Sequence, residues 1–144
     1  AHPAIDLVQF HGDESADYLN AFARLGRPFI VARRIADRSH FAQAAALPTR
    51  HVLIDAAVSG AYGGTGQTLD FTLAADFVAS MSSCHVILAG GLTPANVGEA
   101  VVKVRPYAVD VASGVESEPR RKDAAKLRAF VAAVRAADAR IRGN

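Results

Sequence analysis

His85-Val86-Ile87-Leu88-Ala89-Gly90-Gly91-Leu92-Thr93-Pro94 is the stretch that decides the fold. Residues 85–89 form a short, continuous apolar run, the pattern of a strand buried on both faces of a parallel sheet. Two glycines follow at once. Thr93 and Pro94 then read as a helix N-cap and first helical residue, because proline has no N–H to lose there and its φ is already helical. Val97, Val101 and Val104 recur on one helical face beyond them. The unit is strand, tight turn, helix.

The same unit repeats outward in both directions. Upstream, residues 51–55 end in Asp55, and a glycine-rich loop at 59–67 leads to a helix capped by Asp70 with Leu73, Phe77 and Met81 four residues apart. Before that, residues 29–35 are β-rich but carry Arg33 and Arg34, so one end of this strand should point into a solvated mouth; Asp37 then caps a helix bearing Phe41 and Leu47. The first run, 5–10, passes through His11, Gly12 and Asp13 into a helix with Tyr18, Leu19, Phe22 and Leu25 on one face, stopped by Gly26. Downstream, residues 108–112 lead through Ser113 and Gly114 to a polar loop, and Asp123 caps a last helix with Leu127, Phe130, Val131 and Val134 inward. Five strand–helix units result, and no long polar hinge divides them, so residues 1–144 are expected to form a single domain.

Consecutive βα units build either an open doubly wound sheet or a closed barrel. A dinucleotide fold would concentrate glycines after its first strand as G-x-G-x-x-G, and that pattern is not found. Here the polar and glycine-rich features follow the first, third, fourth and fifth strands, as barrel active sites require. The barrel is favoured.

With 51% apolar and 21% charged residues, the chain can bury a core and is not of disordered composition. No apolar run reaches the roughly 20 residues of a membrane-spanning helix, and the first six residues lack the order of a secretory signal. Cys84 is the only cysteine, which rules out an intrachain disulfide and a cysteine metal cluster and fits a reducing cytoplasm. The net charge of +2 is small and its basic residues are scattered, so nucleic acid is not an expected partner.

Gly90 and Gly91 at a strand end, before a helix start, suit an anion such as phosphate; a tight turn needing positive φ explains them equally well. Ser113 and Gly114, ending the next strand, tip the balance, since barrels often hold phosphate between adjacent loops of this kind. Asp55 closes an apolar strand, so a partly desolvated general acid is one reading and a loop cap the other. Asp110 lies inside the fifth run, where a charge needs a partner. His11 ends the first strand and reads either as a site residue or as a structural histidine.

Five stretches taken together resemble the phosphoribosylanthranilate isomerase family. They are Val8-Gln9-Phe10-His11-Gly12-Asp13-Glu14, Leu53-Ile54-Asp55, Gly63-Gly64-Thr65-Gly66-Gln67-Thr68-Leu69-Asp70-Phe71, Leu88-Ala89-Gly90-Gly91-Leu92-Thr93-Pro94-Ala95-Asn96-Val97 and Val109-Asp110-Val111-Ala112-Ser113-Gly114-Val115-Glu116-Ser117, in the family's order. The resemblance implies strands 4 to 8 of an eight-stranded (βα)8 barrel, hence a partial TIM barrel of about five βα units. It implies the Amadori rearrangement of N-(5-phosphoribosyl)anthranilate in tryptophan biosynthesis, with neither metal nor organic cofactor. Asp55 matches the general acid that opens the ring, Asp110 the carboxylate near the anthranilate, and Gly90, Gly91, Ser113 and Gly114 the loops that grip phosphate, with His11 as a further substrate-binding position.

Departures are informative too. The family's base is a cysteine in a Lys-Ile-Cys-Gly-Ile-Thr-like first strand, and no such segment occurs here; Cys84 precedes its strand and belongs to the opposite face. Val31 stands where a lysine is common, and Arg120 with Arg121 replaces a glycine-containing stretch. Five strands cannot close an eight-stranded barrel, so a missing N-terminal segment or self-association is expected to cover the edges. The chain alone is then expected to be inactive. A non-catalytic phosphate-binding partial barrel that assembles with a partner is the alternative, and an indole-glycerol phosphate synthase relative is a lesser one.

Overall fold

The computed structural model describes residues 5–55 and 71–143. Among them, five parallel strands form one sheet: β1 (Val8–Phe10), β2 (Phe29–Arg34), β3 (His51–Asp55), β4 (His85–Ala89) and β5 (Ala108–Val109). Helices α1 (Ala16–Ala23), α2 (His40–Ala45), α3 (Phe71–Ser80), α4 (Val97–Val104) and α5 (Ala124–Arg142) follow the strands in turn. Spatial order equals chain order, β1-β2-β3-β4-β5. A doubly wound sheet reverses its order at a switch point, and this sheet has none. The α/β class and the five expected units are therefore present.

Strand parity sorts the side chains. Val52 and Ile54 of β3 and Val86 and Leu88 of β4 are buried in the main core with Phe77 of α3, four buried residues of α4 (Val97, Ala100, Val101 and Val104), and Phe130 and Ala137 of α5. Phe77 is fully enclosed and meets the Phe41 ring edge-on at 5.1 Å. A smaller cluster gathers Leu19, Phe29 and Val31, with Phe10 and Phe22 at its margin. Val31 thus packs with Leu19 of α1 and, contrary to expectation, does not shape the mouth.

Several local expectations are corrected. β1 starts at Val8, with Ile5 and Leu7 about half exposed, and β5 is two residues long instead of spanning 108–112. α4 begins at Val97, because Thr93 opens a tight turn whose carbonyl accepts from both Asn96 and Val97 N–H. Ser39 is the N-cap position of α2, while Asp37 binds the Ser39 N–H and hydroxyl just ahead of it. On α5, Phe130 is buried but Leu127 and Val131 are exposed, as are Tyr18 and Leu25 near α1. The 59–67 loop and Asp70 lie outside the described residues. Asp123 caps α5 as expected, accepting from Ala125 and Lys126 N–H.

The polar loop after β5 contains structure that its composition did not suggest. A 3-10 turn, Ser113–Val115, leads into the antiparallel hairpin of β6 (Glu116–Glu118) and β7 (Arg121–Lys122). Arg120 turns it at φ 69°, the left-handed conformation that favours glycine.

Removing the Phe77 ring leaves a void that rigid strands on one side cannot collapse into. Phe77→Ala should destabilise the fold by about 3–5 kcal/mol, read as a lowered urea midpoint.

Candidate functional site

The C-terminal ends of all five strands open onto one cleft of about 590 Å³. His11 reaches it from the end of β1 and Asp55 from β3; Gly90 and Gly91 come from the turn after β4, and Asp110, Ser113 and Gly114 from the segment after β5. All seven residues singled out from the sequence line this space. Register explains the convergence: Arg34 pairs with Asp55, and Asp55 with Ala89, so three adjacent strands end level on the cleft face.

The turn after β4 is built by backbone conformation and one side-chain amide. Gly90 and Gly91 take φ of 89° and 59°, which L side chains rarely adopt, so the turn reading of these glycines is met whatever else they do. Asn96 accepts from Thr93 N–H at 2.8 Å through Oδ1 and donates to the Gly91 carbonyl at 3.0 Å through Nδ2. This staple holds the glycine turn against the start of α4. At Gly114 a Cβ would fall 1.8 Å from the Leu92 carbonyl oxygen, so the loops after β4 and β5 meet backbone to backbone.

The hairpin locks the second loop from outside. Lys122 Nζ donates to the Ala112 carbonyl and to Glu116 Oε1, both at 2.7 Å, and Arg120 N–H donates to Glu116 Oε2 at 3.2 Å. The Lys122 hydrogen bond, seconded by that backbone N–H, holds Glu116 below its ordinary carboxylate pKa of 4.5.

The loop bearing His11 has its own clamp. Gly12 N–H donates to Glu14 Oε1 at 3.1 Å, and Arg33 Nη1 reaches from β2 to the Gly12 carbonyl at 3.3 Å and to within 3.8 Å of Glu14 Oε2. Desolvation works against the Glu14 charge, but backbone N–H groups, Arg33 and His11 outweigh it and leave its pKa below 4.5.

Two sequence arguments are corrected. Asp55 is exposed at the rim, so burial does not supply the environment expected of it. Asp110 lies just past β5 and is exposed, with its N–H bound to the Leu88 carbonyl at 2.8 Å, so it is not a charge inside a strand. Cys84 does precede β4 and packs on the helix-side core, away from the cleft. Glu14, Asn96 and Lys122 carry the loop geometry and were not read as such from sequence; the only hint, for Glu14 and Asn96, was their closeness in sequence to Gly12 and Gly91, which they hold. Among the described residues no group of three or more His, Cys, Asp or Glu is arranged to hold a metal, and no helix is long and apolar enough to cross a membrane.

Comparison with known proteins gives a consistent result. The family model described as N-(5'phosphoribosyl)anthranilate (PRA) isomerase matches residues 1–133. The N-(5'-phosphoribosyl)anthranilate isomerase of Pseudomonas fluorescens (strain SBW25) is 44% identical over 133 residues, covering 91% of this chain and 60% of that protein. The Geobacter sulfurreducens isomerase is 48% identical over 132 residues, covering 88% and 60%. The crystal structure of phosphoribosyl anthranilate isomerase from Thermotoga maritima is similar with a TM-score of 0.76 at 31% identity, covering 92% of this chain and 62% of that one. A phosphoribosyl anthranilate isomerase solved in complex with reduced 1-(o-carboxyphenylamino)-1-deoxyribulose 5-phosphate matches with a TM-score of 0.73 at 28% identity, covering 92% and 60%. The chain thus spans about 60% of the length of the curated relatives it matches.

Two outcomes follow from the loop geometry. Gly114→Ala forces the two loops apart and should cost at least about 2 kcal/mol of stability by urea unfolding, with the largest amide shifts at Leu92 and Thr93 in NMR spectra. Because the Glu14 pKa is depressed on folding, its contribution is complete above pH 4.5 and is lost as pH falls through the folded value. The Gly12 amide shift should therefore titrate below pH 4.5, and Glu14→Gln should abolish that titration.

Proposed function

The chain belongs to the N-(5'phosphoribosyl)anthranilate isomerase family, and from that premise we propose that it forms the phosphate-gripping and acid-bearing part of such an isomerase. In this reading β1 to β5 correspond to strands 4 to 8 of a (βα)8 barrel, and residues 1–144 are one continuous portion of it. The observation that carries the reading is the convergence of Asp55, Asp110, His11 and the two glycine-bearing loops on one cleft at the strands' C-terminal ends.

The substrate is N-(5-phosphoribosyl)anthranilate. Gly90, Gly91, Ser113 and Gly114 present backbone to its phosphate, where an approaching anion meets no side chain at the glycines. Asp110 and His11 lie on the anthranilate and sugar sides. Asp55 donates its proton to the furanose oxygen as the C1–O bond breaks, and the anthranilate nitrogen's lone pair forms the C1=N bond left behind. A base then removes the C2 proton, and the resulting enolamine relaxes to the ketone, so the product keeps every atom of the substrate. No metal or organic cofactor takes part, and the chemistry suits a cytoplasmic enzyme of tryptophan biosynthesis.

The resemblance gives the base to a cysteine on a segment that these 144 residues do not contain, and Cys84 stands at the other end of the sheet. We therefore expect the 144-residue chain by itself to turn over little or no substrate, with activity belonging to an assembly that includes the remaining strands.

The test is kinetic. The purified chain alone should show little isomerisation, and adding a polypeptide that carries the cysteine-bearing strands should restore it; native turnover by the chain alone would refute its dependence on the assembly. Association without turnover would favour a non-catalytic phosphate-binding barrel. In the active assembly, Asp55→Asn should lower kcat by about 10²-fold or more while inorganic phosphate still competes for the site. An unchanged rate would remove Asp55 from the mechanism.

A further inference from the structure

At the opposite end of the same sheet face lies a second cluster that the isomerase reading does not use. His51 opens β3 and His85 opens β4, and the two are register partners on neighbouring parallel strands. Both share the parity of Leu53, Asp55 and Ala89, which line the cleft, so both imidazoles stand on the cleft side of the sheet. Four residues at about 3.3 Å each put His51 roughly 13 Å along the strand from Asp55. The two places are separate.

The imidazoles are held close together. His85 Nδ1 and His51 Nε2 are 3.2 Å apart, and the ring of Tyr107 stacks on His85 at 4.0 Å between centroids with 12° between planes. The backbone beneath them is pinned at three points. His51 N–H donates to Thr49 Oγ1 at 3.1 Å, His85 N–H to the Arg50 carbonyl at 2.6 Å, and Tyr107 N–H to the Val86 carbonyl at 2.9 Å. In this chain His85 and Tyr107 are exposed, so water reaches the pair.

We propose that His51 and His85 form a two-imidazole chelate for a borderline divalent transition ion such as Zn²⁺, completed by solvent. Two Zn–N bonds of about 2.0–2.1 Å whose nitrogens lie 3.2 Å apart enclose roughly 100–106°, near the tetrahedral angle. Imidazole suits such ions in its neutral form. Without metal the close pair requires one ring to offer an N–H to the other, so binding shifts that proton to the ring's outer nitrogen and frees both facing lone pairs. Strand pairing fixes the spacing and the Tyr107 stack fixes one ring plane, which lowers the ordering cost of a chelate. Cys84 packs on the helix side and is not a ligand. The site needs no step of the isomerase reaction and stands or falls independently of it.

Zn²⁺ titrated into the full chain tests this, by calorimetry and by the imidazole resonances of His51 and His85. One equivalent should bind, both sets of resonances should shift together, and His51→Gln and His85→Gln should each weaken affinity at least tenfold while His40→Gln leaves it unchanged. Failure of the His51 and His85 signals to respond in the unaltered protein would overturn the proposal without recourse to any variant. Affinity that depends on only one of the two imidazoles would overturn it as well, since a chelate needs both.

Discussion

Parallel pairing of β3 with β4, from His51 opposite His85 to Asp55 opposite Ala89, is the constraint on which the rest of this structure depends. Side chains alternate along a strand, so one register decision sends Val52, Ile54, Val86 and Leu88 to the helices and leaves the odd-numbered set on the other face. A slip of β3 by one residue would expose Val52 and Ile54, losing roughly 1.5–3 kcal/mol for each. It would also turn Asp55 into the helix layer, where an unpaired carboxylate is costly. Core and cleft are two consequences of the same hydrogen-bonded ladder.

The rim obeys a different logic. Strands deliver residues to the cleft, but the loops that hold them there are fixed by backbone contacts that admit almost no side chain. Gly114 lies against the Leu92 carbonyl, and Asn96 ties Gly91 to Thr93. Charge completes the arrangement from outside: Lys122 bridges Glu116 and the Ala112 carbonyl on one side of the mouth, while Arg33 and Glu14 hold the Gly12 turn on the other. The loops that approach the cleft are thus held by side chains that bind their backbone: Lys122 the Ala112 carbonyl, Arg33 the Gly12 carbonyl and Glu14 the Gly12 N–H.

What the sequence revealed and what it concealed divide along this line. β3 and β4 were legible to the residue because each is an uninterrupted apolar run ended by a carboxylate or a glycine pair. β5 was misjudged in length: Val111 and Ala112 look like strand but leave the ladder where the chain turns toward Gly114 and the Leu92 backbone. The start of α4 was misplaced for a related reason, since Thr93-Pro94 is a proper helix opening locally, but Thr93 opens a tight turn that Asn96 ties to Gly91, and the helix starts three residues on. The seven cleft residues were found because each lies at or just beyond the end of an apolar run. Glu14, Asn96 and Lys122 escaped notice because their role is to hold a neighbouring turn, and that depends on where the backbone goes.

The apolar side chains left exposed follow the sheet's order. β2, β3 and β4 are paired on both sides, whereas the exposed Ile5 and Leu7 lead into the edge strand β1 and the exposed Tyr107 leads into the edge strand β5. Near the β1 end, Ile5, Val8, Phe22 and Leu25 line a groove of about 480 Å³. Both edge strands also carry a row of backbone groups that the described sheet does not pair, the usual template for a further strand. A closed barrel has no edges, and the relatives of this chain are longer by the two-fifths of their length that it does not match. The apolar exposure is thus concentrated where additional βα units would join the sheet, and the same closure would bring a new strand end to each side of the cleft. On the barrel reading proposed above, covering the edges and completing the mouth would be one event.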